Sequence, residues 1–413
     1  MPKRLTNFLD RAEKAGLVDE AAVQTILNLA DPFPDNALEP TGWPTVLGQR
    51  SVPMALTKYL NISAPAGVTT TWSFKVIFIP FAGTYNSERY YDWNKATGAL
   101  GTANTLAAEY GQYNVWTWKA EDPEPNWLFT RPNQIITLDP QSSWSLSRIC
   151  AAGLELINTS TDLYRGGMYY GWRAPPITHD MNCSLATNPS STLIAKYTLF
   201  SGVAHHLDSI INLDTTVVGS ARDGVGVFSL PTSAENLPIP GLPTQIMLVD
   251  TMSQIYPVVR FPTAGTNTQF YDWMPCGAYV TGLAQQATFQ LKARVYYENV
   301  PDTASSVLLQ SIARPAVPYS FLAQELMAKM LLHMPCGFDY KENPFGEWFA
   351  KVLDALAVAA PAIGQLIPHP AAKIIATAAG PLLAQGATAL KARAEQKKTK
   401  ALNQAQTIKR PGH

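Results

Sequence analysis

The chain has 413 residues, which is enough for one large β domain with insertions or for two modest domains. Charged residues make up only 15% of it, below the roughly 25% of an average globular protein, and 32 prolines and 10 tryptophans favour strands and loops. The formal net charge is zero, but this balance hides an uneven distribution of charge along the chain. Its four cysteines are far apart and lack metal-ligand spacing, which argues against a zinc site and predicts free buried thiols.

Residues 1–50 are predicted to form N-terminal helices followed by a connector. Apolar residues from Leu5 to Ala12 lie on one helical face, and Asp19 is placed to cap a second helix that runs to Ala30. The Pro-rich stretch after Ala30 reads as an extended connector. Charged side chains interrupt the apolar residues, so no signal peptide is expected and synthesis in the cytoplasm is predicted.

Residues 51–299 are predicted to form a shell domain of many short strands, with residues 180–275 projecting outward. Period-two alternation is clearest near Ala287 to Glu298, where Phe289, Leu291 and Val295 share one face. Lys292 and Arg294 lie on the other face. Many strands without an intervening helical period predict an antiparallel sandwich or jelly roll, with mainly β fold class.

The chain from residue 300 to its end divides into three predicted parts. Residues 300–343 form an internal helical segment. Residues 344–390 are apolar and begin with an amphipathic helix, whose apolar face consists of Phe345, Trp348, Phe349, Val352, Leu353 and Leu356. Prolines at 361, 368 and 370 disfavour a membrane-spanning helix and favour an interfacial or protein-buried segment.

Residues 391–413 form a basic tail. Seven positive charges stand against the single acid Glu395, a balance of +7 and −1, or +6. A basic, aromatic-free tail is either a solvated terminus or a segment that neutralises phosphates. The candidate nucleic-acid-binding residues are Lys391, Arg393, Lys397, Lys398, Lys400, Lys409 and Arg410.

Four stretches in this order resemble nodavirus coat proteins. Gly42-Trp43-Pro44 resembles the segment ahead of that family's first strand, residues 147–158 and 166–175 resemble its paired strands D and E, and residues 288–298 resemble its last strand. The run from Met334 through Asn343 into the amphipathic helix resembles the end of the family's coat proteins. The resemblance implies a homo-oligomeric icosahedral shell of the T=3 type, in the virion, around a viral genome.

The resemblance also implies host partners. The released C-terminal peptide disrupts the host membrane at entry, and a host receptor of unknown identity is expected. The resemblance favours RNA as the genome, and single-stranded DNA stays the alternative because capsids of some diatom DNA viruses share the same jelly roll. Instead of the family's long Arg-rich N-terminal arm, this chain has only Lys3 and Arg4. Either neutralisation of the genome has moved to the C-terminal tail, or the coat binds less nucleic acid.

Asn343 is the candidate self-cleavage residue. Its side-chain amide can attack its own backbone carbonyl when a carboxyl group assists proton movement, which closes a cyclic imide, breaks the bond to Pro344 and releases the Pro344 amine. Pro344 has no N–H, which blocks the competing deamidation route. The resemblance implies an acidic helper ahead of Gly42, and Asp35 is the nearest candidate. The alternative is structural, because Asn343 followed by Pro344 and Glu347 is also typical of a helix start.

No resident cofactor or metal is predicted. His205 and His206 are adjacent on a predicted strand and point to opposite faces, so they do not form a metal site with Asp208. Asp214, Asp223 and Asp250 are turn or strand-end acids of the kind that hold structural calcium at subunit contacts. The sequence lacks catalytic motifs, and the chain is predicted to be a structural protein. Two alternatives are a secreted β-sandwich lectin or hydrolase and a pore-forming toxin.

Overall fold

The computed structural model describes the greater part of the chain between residues 19 and 339. The described residues are 19–33, 40–45, 48–78, 80, 89–94, 99–100, 104–105, 112–122, 128–136, 144–174, 177–185, 192–200, 207–213, 216–232, 245–248, 255–260, 273–301 and 307–339.

Strands dominate these residues. In chain order they are β1 (Val52–Ser63), β2 (Thr71–Phe78), β3 (Arg89–Asn94), β4 (Ala99–Leu100), β5 (Asn104–Thr105), β6 (Gln112–Glu121), β7 (Leu128–Ile136), β8 (Trp144–Asn158), β9 (Met168–Arg173), β10 (Ile177–Leu185), β11 (Thr192–Phe200), β12 (Val217–Ser220), β13 (Val225–Ser229), β14 (Gln245–Leu248), β15 (Ile255–Arg260), β16 (Cys276–Ala284), β17 (Thr288–Pro301) and β18 (Gly337–Asp339). The helices are α1 (Glu20–Ala30), α2 (Leu207–Ile211), α3 (Val307–Ile312) and α4 (Phe321–His333), with a 3-10 turn at Asp162–Tyr164.

Two antiparallel sheets form the sandwich. The first has the spatial order β1-β17-β8-β13-β18, and the second has the order β12-β9-β16-β2-β6-β7. The chain passes directly from one of these sheets to the other between β1 and β2, β7 and β8, β8 and β9, β12 and β13, and β16 and β17. Two sheets interleaved in this way are a jelly roll, so the predicted fold class is confirmed.

The expected pairing of residues 147–158 with residues 166–175 is wrong. These stretches form β8 and β9, which lie in different sheets. β8 is hydrogen-bonded to β17 and β13, whereas β9 is hydrogen-bonded to β16 and β12. The chain crosses the sandwich at the turn between them, so neighbours in sequence belong to opposite layers.

The core lies between the two sheets. Phe289, Leu291 and Val295 of β17 are buried there, as the alternation predicted. The Phe74 ring of β2 meets the Phe289 ring edge-on at 5.1 Å between centroids, which joins the sheets. Burial of these apolar faces is the main contribution to the stability of the sandwich.

A third sheet is built from segments inserted between the sandwich strands. Its order is β15-β14-β11-β10-β4-β3-β5, and β15 also pairs with β3. The segments come from residues 89–105, 177–200 and 245–260. The insertion assigned from sequence was 180–275. The third sheet also includes residues 89–105, which lie outside that range.

The chain on either side of the jelly roll covers the first sheet. α1 begins at the predicted cap, where the Asp19 carboxylate accepts a hydrogen bond from Ala21 N at 2.9 Å. α1 packs its buried face against β8 and α4. We call residues 19–45 the N-terminal arm and residues 307–339 the C-terminal arm.

Candidate functional site: two buried arginine anchors for the arms

The N-terminal arm is fixed to the first sheet by the carboxylate of Glu298, on β17. This side chain is only 3% exposed. Its Oε2 accepts hydrogen bonds from Trp43 N at 2.8 Å and from Arg148 Nε at 2.5 Å. Its Oε1 accepts from Ser51 Oγ at 2.6 Å. Arg148 in turn donates to Trp43 O at 2.7 Å, so carboxylate and guanidinium together hold the backbone N–H and C=O of one residue of the arm. We call this set the N-terminal anchor.

Gly42 makes this close approach possible. A Cβ on Gly42 would lie 2.3 Å from Glu298 Oε1, a distance that no real methyl group tolerates. The adjacent Trp43 side chain is fully buried in the core. The Gly-Trp-Pro stretch therefore places a small residue against the buried charge and a large apolar residue beside it.

The anchor also joins the two arms to each other. Ser51 N donates to Arg314 O at 2.9 Å, and Arg314 N donates back to Ser51 O at 2.8 Å. Thr45 N donates to Val317 O at 3.1 Å. The chain that enters the jelly roll thus lies alongside the chain that leaves it.

A second polar row lies on the same face of the first sheet, toward the middle of the strands. Lys292 Nζ on β17 lies 3.2 Å from Glu155 Oε2 on β8 and 4.8 Å from the centroid of the Phe33 ring. The Phe33 ring occupies the space above Gly153, where a Cβ would lie 2.7 Å from Phe33 Cε2. This row fixes the arm beyond α1, and the ammonium group on the aromatic ring adds a cation–π attraction.

The C-terminal arm is fixed by Arg173, at the end of β9. Its guanidinium donates to Met334 O at 2.9 Å, to Pro335 O at 3.2 Å and to Phe228 O at 3.4 Å. These bonds join the second sheet to β13 of the first sheet and to the chain just before β18. We call this set the C-terminal anchor.

Both anchors include buried thiols, which are free as predicted. Burial, followed by the nearby Glu298 carboxylate, raises the pKa of Cys150 well above its usual range. At the C-terminal anchor, burial raises the pKa of Cys336 to about 12, although the Arg173 guanidinium lowers it in part. Burial also lowers the pKa of Arg173 itself. The thiols are therefore protonated and chemically inert at neutral pH.

The candidate residues chosen from sequence lie outside the described residues. This holds for Asn343 and Asp35. It also holds for the apolar face from Phe345 to Leu356 and for the basic residues from Lys391 to Arg410. His205, His206, Asp214 and Asp250 lie outside them as well. Asp223 lies in a described turn, where its N–H donates to Ser220 O at 3.0 Å.

Sequence reasoning did not select Glu298, Arg148 or Arg173. Glu298 was assigned to the polar face of an alternating strand, which normally faces water. The Gly-Trp pair in the arm could have indicated its burial, because Gly42 and Trp43 must pack against a buried group of the sheet. Arg173 carries no comparable signal in the sequence.

Within the part of the chain that the structure describes, no three His, Cys, Asp or Glu side chains come together as a metal site would require. Its helices are also too short or too polar for a membrane crossing.

No family model matches the chain, and no curated protein matches it. Solved structures of viral capsid proteins are similar to it at low identity and with TM-scores below 0.5. VP2 from T=1 particles of infectious bursal disease virus is 12% identical, with a TM-score of 0.44, over 80% of this chain and 97% of that one. The T13 particle of IBDV gives 11% identity and a TM-score of 0.44, over 84% and 98% of the two chains. The BFDV capsid protein gives 10% identity and a TM-score of 0.22, over 60% and 99%.

Proposed function

We propose that this chain is a viral coat protein that assembles with copies of itself into a closed icosahedral shell. The observation that carries the proposal is the arrangement of the arms. Both arms are anchored to the jelly roll and run alongside each other on the first sheet, through Ser51, Arg314 and Thr45. A sugar-binding or hydrolytic jelly roll needs an open site on the sandwich, whereas a shell subunit needs flanking segments that can join neighbours.

Electron microscopy of the purified full-length chain tests this proposal directly. Closed particles of uniform size are expected. Rings would instead indicate a pore-forming toxin, and a monomer at all concentrations would indicate a secreted lectin or hydrolase. Sedimentation velocity at several protein concentrations distinguishes the same three outcomes in solution.

The proposal includes a genome, for which RNA is favoured by the nodavirus resemblance. The +6 tail supplies the phosphate contacts through counterion release. Nucleic acid extracted from particles should be degraded by ribonuclease and not by deoxyribonuclease. Deleting residues 391–413 should reduce the nucleic acid per particle, and a deletion of 1–18 is the matched control, because that segment holds both charge signs.

Self-cleavage after Asn343 is also proposed, with Asp35 as its helper. Phe33 lies on β8 at Gly153, and Asp339 in β18 is two strands away, about 10 Å at ~4.8 Å per strand. The register also shifts Asp339 by three residues along the strands, about 10 Å at ~3.3 Å per residue, so the two positions are about 14 Å apart. Asp35 is two residues beyond Phe33 and Asn343 is four beyond Asp339, together a reach of about 21 Å at ~3.5 Å per residue. The two residues can therefore meet within one chain.

Glu298 is too distant for the same role. The register from Asp339 through Val225 and Leu156 leads to Leu291, seven residues along β17 from Glu298. Seven residues correspond to about 23 Å of strand, beyond the ~14 Å that four residues from Asp339 can span. Intact mass spectrometry of aged particles should show a 70-residue peptide (413 − 343). Asn343→Ala and Asp35→Asn should each abolish it, whereas Glu39→Gln should not.

The released or attached segment 344–390 is proposed to perturb the host membrane. Its aromatic apolar face would lie in the interface plane of a bilayer. Particles should release dye from liposomes, and Trp348→Asp should reduce the release without changing particle number. Glu347→Gln, on the opposite face, is the control.

A further inference from the structure

One buried hydrogen-bond donor on the arm-covered face of the first sheet lacks an acceptor. Among the described residues, Arg294 on β17 has a buried Nε atom without a hydrogen-bond partner. Its guanidinium carbon lies 4.9 Å from the centroid of the Tyr296 ring, a cation–π contact that attracts the charge but gives Nε no acceptor. Because a buried unpaired donor costs free energy, such an atom indicates that an acceptor belongs beside it.

The neighbouring cations of this face are already paired with carboxylates. Arg148 Nε donates to Glu298 Oε2, and Lys292 Nζ lies 3.2 Å from Glu155 Oε2. Arg294 lies between these two ion pairs along β17. Glu298 and Glu155 are thereby committed to other cations, so the acceptor for Arg294 is expected from the chain that covers the sheet.

Asp31, in the N-terminal arm, lies near the same aromatic ring but serves the turn of the arm. Its Oδ1 accepts a hydrogen bond from Phe33 N at 3.0 Å, and the Tyr296 hydroxyl donates to Pro32 O at 3.4 Å. Burial raises the pKa of Tyr296, while the Arg294 charge lowers it and the Asp31 charge raises it further. The arm therefore passes beside the Arg294 guanidinium.

The next carboxylate of the arm is Asp35, two residues beyond Phe33. The Phe33 ring occupies the space above Gly153, and Gly153 is the direct partner of Arg294 in the pairing of β8 with β17. Directly paired residues of antiparallel strands have Cα atoms about 5 Å apart. Two residues of chain span about 7 Å, so the Asp35 carboxylate can reach Arg294 Nε. Asp35 lies outside the described residues, and the length of chain from Phe33 is what brings it within range.

We propose that Arg294 Nε binds the carboxylate of Asp35 and positions it for the cleavage after Asn343. The inference rests on the self-cleavage proposed above and names the residue that orients its helper. A guanidinium holds a carboxylate in a defined orientation through charge-assisted hydrogen bonds. Arg294 acts through Asp35 and does not touch the bond that breaks, so it is a positioning residue.

The pairing decides which way Asp35 moves the proton. A carboxylate bound to a guanidinium is ionised at neutral pH, so Asp35 acts as a base. It takes a proton from Asn343 Nδ2 while that nitrogen forms its bond to the Asn343 carbonyl carbon. The same proton passes to the Pro344 nitrogen as the bond between Asn343 and Pro344 breaks. No water is consumed, so the larger fragment first ends in a cyclic imide and is one water lighter than its hydrolysed form.

The first test follows cleavage in aged particles of the full chain by intact mass spectrometry across pH. Arg294→Met should slow release of the C-terminal peptide about tenfold or more at pH 7. Without the guanidinium Asp35 ionises at higher pH, so the acid limb of the rate profile should also move to higher pH. Lys292, Glu155 and Asp31 face the same site and are unchanged in this variant. A purely structural defect would lower the rate equally at every pH.

Two further variants sharpen this test. Arg294→Lys keeps the charge and should restore part of the rate and of the wild-type pH profile. Glu39→Gln is the matched control, because Glu39 is the other arm carboxylate outside the described residues and should not be needed. Cleavage that is lost in Glu39→Gln and kept in Asp35→Asn would make Glu39 the acceptor and overturn the assignment.

The second test does not depend on cleavage. It uses the full chain carrying Asn343→Ala, which cannot cleave itself. Arg294→Met and Asp35→Asn should each raise the hydrogen-exchange rates of amides between Phe33 and Gly42 severalfold, because each releases the same contact of the arm. The double variant should exchange no faster than either single variant.

The outcomes separate this inference from the self-cleavage on which it rests. Additive effects of Arg294→Met and Asp35→Asn on exchange overturn the pairing, whether or not the chain cleaves. Non-additive exchange together with an intact chain in aged wild-type particles supports the pairing and overturns self-cleavage. Cleavage that keeps the wild-type rate and pH profile in Arg294→Met leaves self-cleavage standing and overturns the inference.

Discussion

The two anchors hold the two arms by different chemistry. At the N-terminal anchor, a buried guanidinium and a buried carboxylate neutralise each other beside the backbone N–H and C=O of Trp43. At the C-terminal anchor, the Arg173 guanidinium donates to the carbonyls of Met334, Pro335 and Phe228. The first anchor therefore depends on side chains at both ends of an ion pair. The second depends mainly on one side chain, because almost any residue can supply a backbone carbonyl.

Because of this difference, the two arms are vulnerable to different substitutions. A buried ion pair fails when either partner is removed, because the remaining charge is then uncompensated. Carbonyl acceptors that lose their donor cost less, since each is neutral. Three substitutions and one change of pH test this difference.

Glu298→Gln should have the largest effect. It leaves Arg148 charged and buried, so we expect the free energy of unfolding to fall by about 3–5 kcal/mol, measured by urea denaturation of unassembled subunits. The control is Glu155→Gln. Its partner Lys292 is 19% exposed and can turn toward water, so a loss of about 1 kcal/mol or less is expected. Equal losses from the two variants would contradict the role of Glu298 as an anchor.

Arg173→Met should cost about 3 kcal/mol, because three buried carbonyls lose a donor while the buried charge is also removed. Hydrogen exchange should localise the change. Amides of β18 and the end of α4 should exchange faster, whereas those of β1 should keep wild-type rates. Faster exchange at β1 as well would mean that the two anchors are not independent.

Gly42→Ala should cost about 2 kcal/mol, because its methyl group would meet the carboxylate of Glu298. Gly48→Ala is the matched control. A Cβ there has no neighbour within 4 Å, so a change within about 0.5 kcal/mol is expected. Thermal melts of both variants decide the matter, and a neutral Gly42→Ala would show that the arm can move away from Glu298.

The smallest effect concerns pH at the C-terminal anchor. The pKa of Cys336 is about 12 when folded and near 9.0 when unfolded. Its contribution is therefore fully present below pH 9 and is lost as pH rises toward 12. Between pH 8 and pH 10 the Cys336 thiol should account for a loss of about 1 kcal/mol of the wild type's stability. Cys336→Ala should lose less over the same interval, and identical losses would contradict the assignment.

Part of this architecture follows from local sequence pattern. The alternation in β17 identified the residues that fill the core, and Asp19 marked the start of α1. Both depend on neighbours in sequence. The membership of β8 and β9 in different sheets depends on pairing with β17 and β16, more than 100 residues away, and no local pattern records it.

The anchors were missed for a related reason. Alternation shows that Glu298 lies opposite the core face, but it does not show that an arm covers that face. Covering the face converts a solvent-exposed polar row into buried charges, and only the path of the arm determines this. The candidate residues Asn343 and Asp35 came from resemblance alone, and they stay predictions.

The position of β17 in the first sheet has a consequence for synthesis of the chain. β17 lies between β1 and β8, yet it is residues 288–301 of 413 and emerges late from the ribosome. Until then β1 and β8 each lack their shared neighbour, and such open strands are prone to wrong pairing. Glu298 is on the same strand, so the N-terminal arm cannot be captured before the sheet closes. The nascent chain therefore cannot complete the first sheet or the N-terminal anchor until nearly three quarters of it has been made.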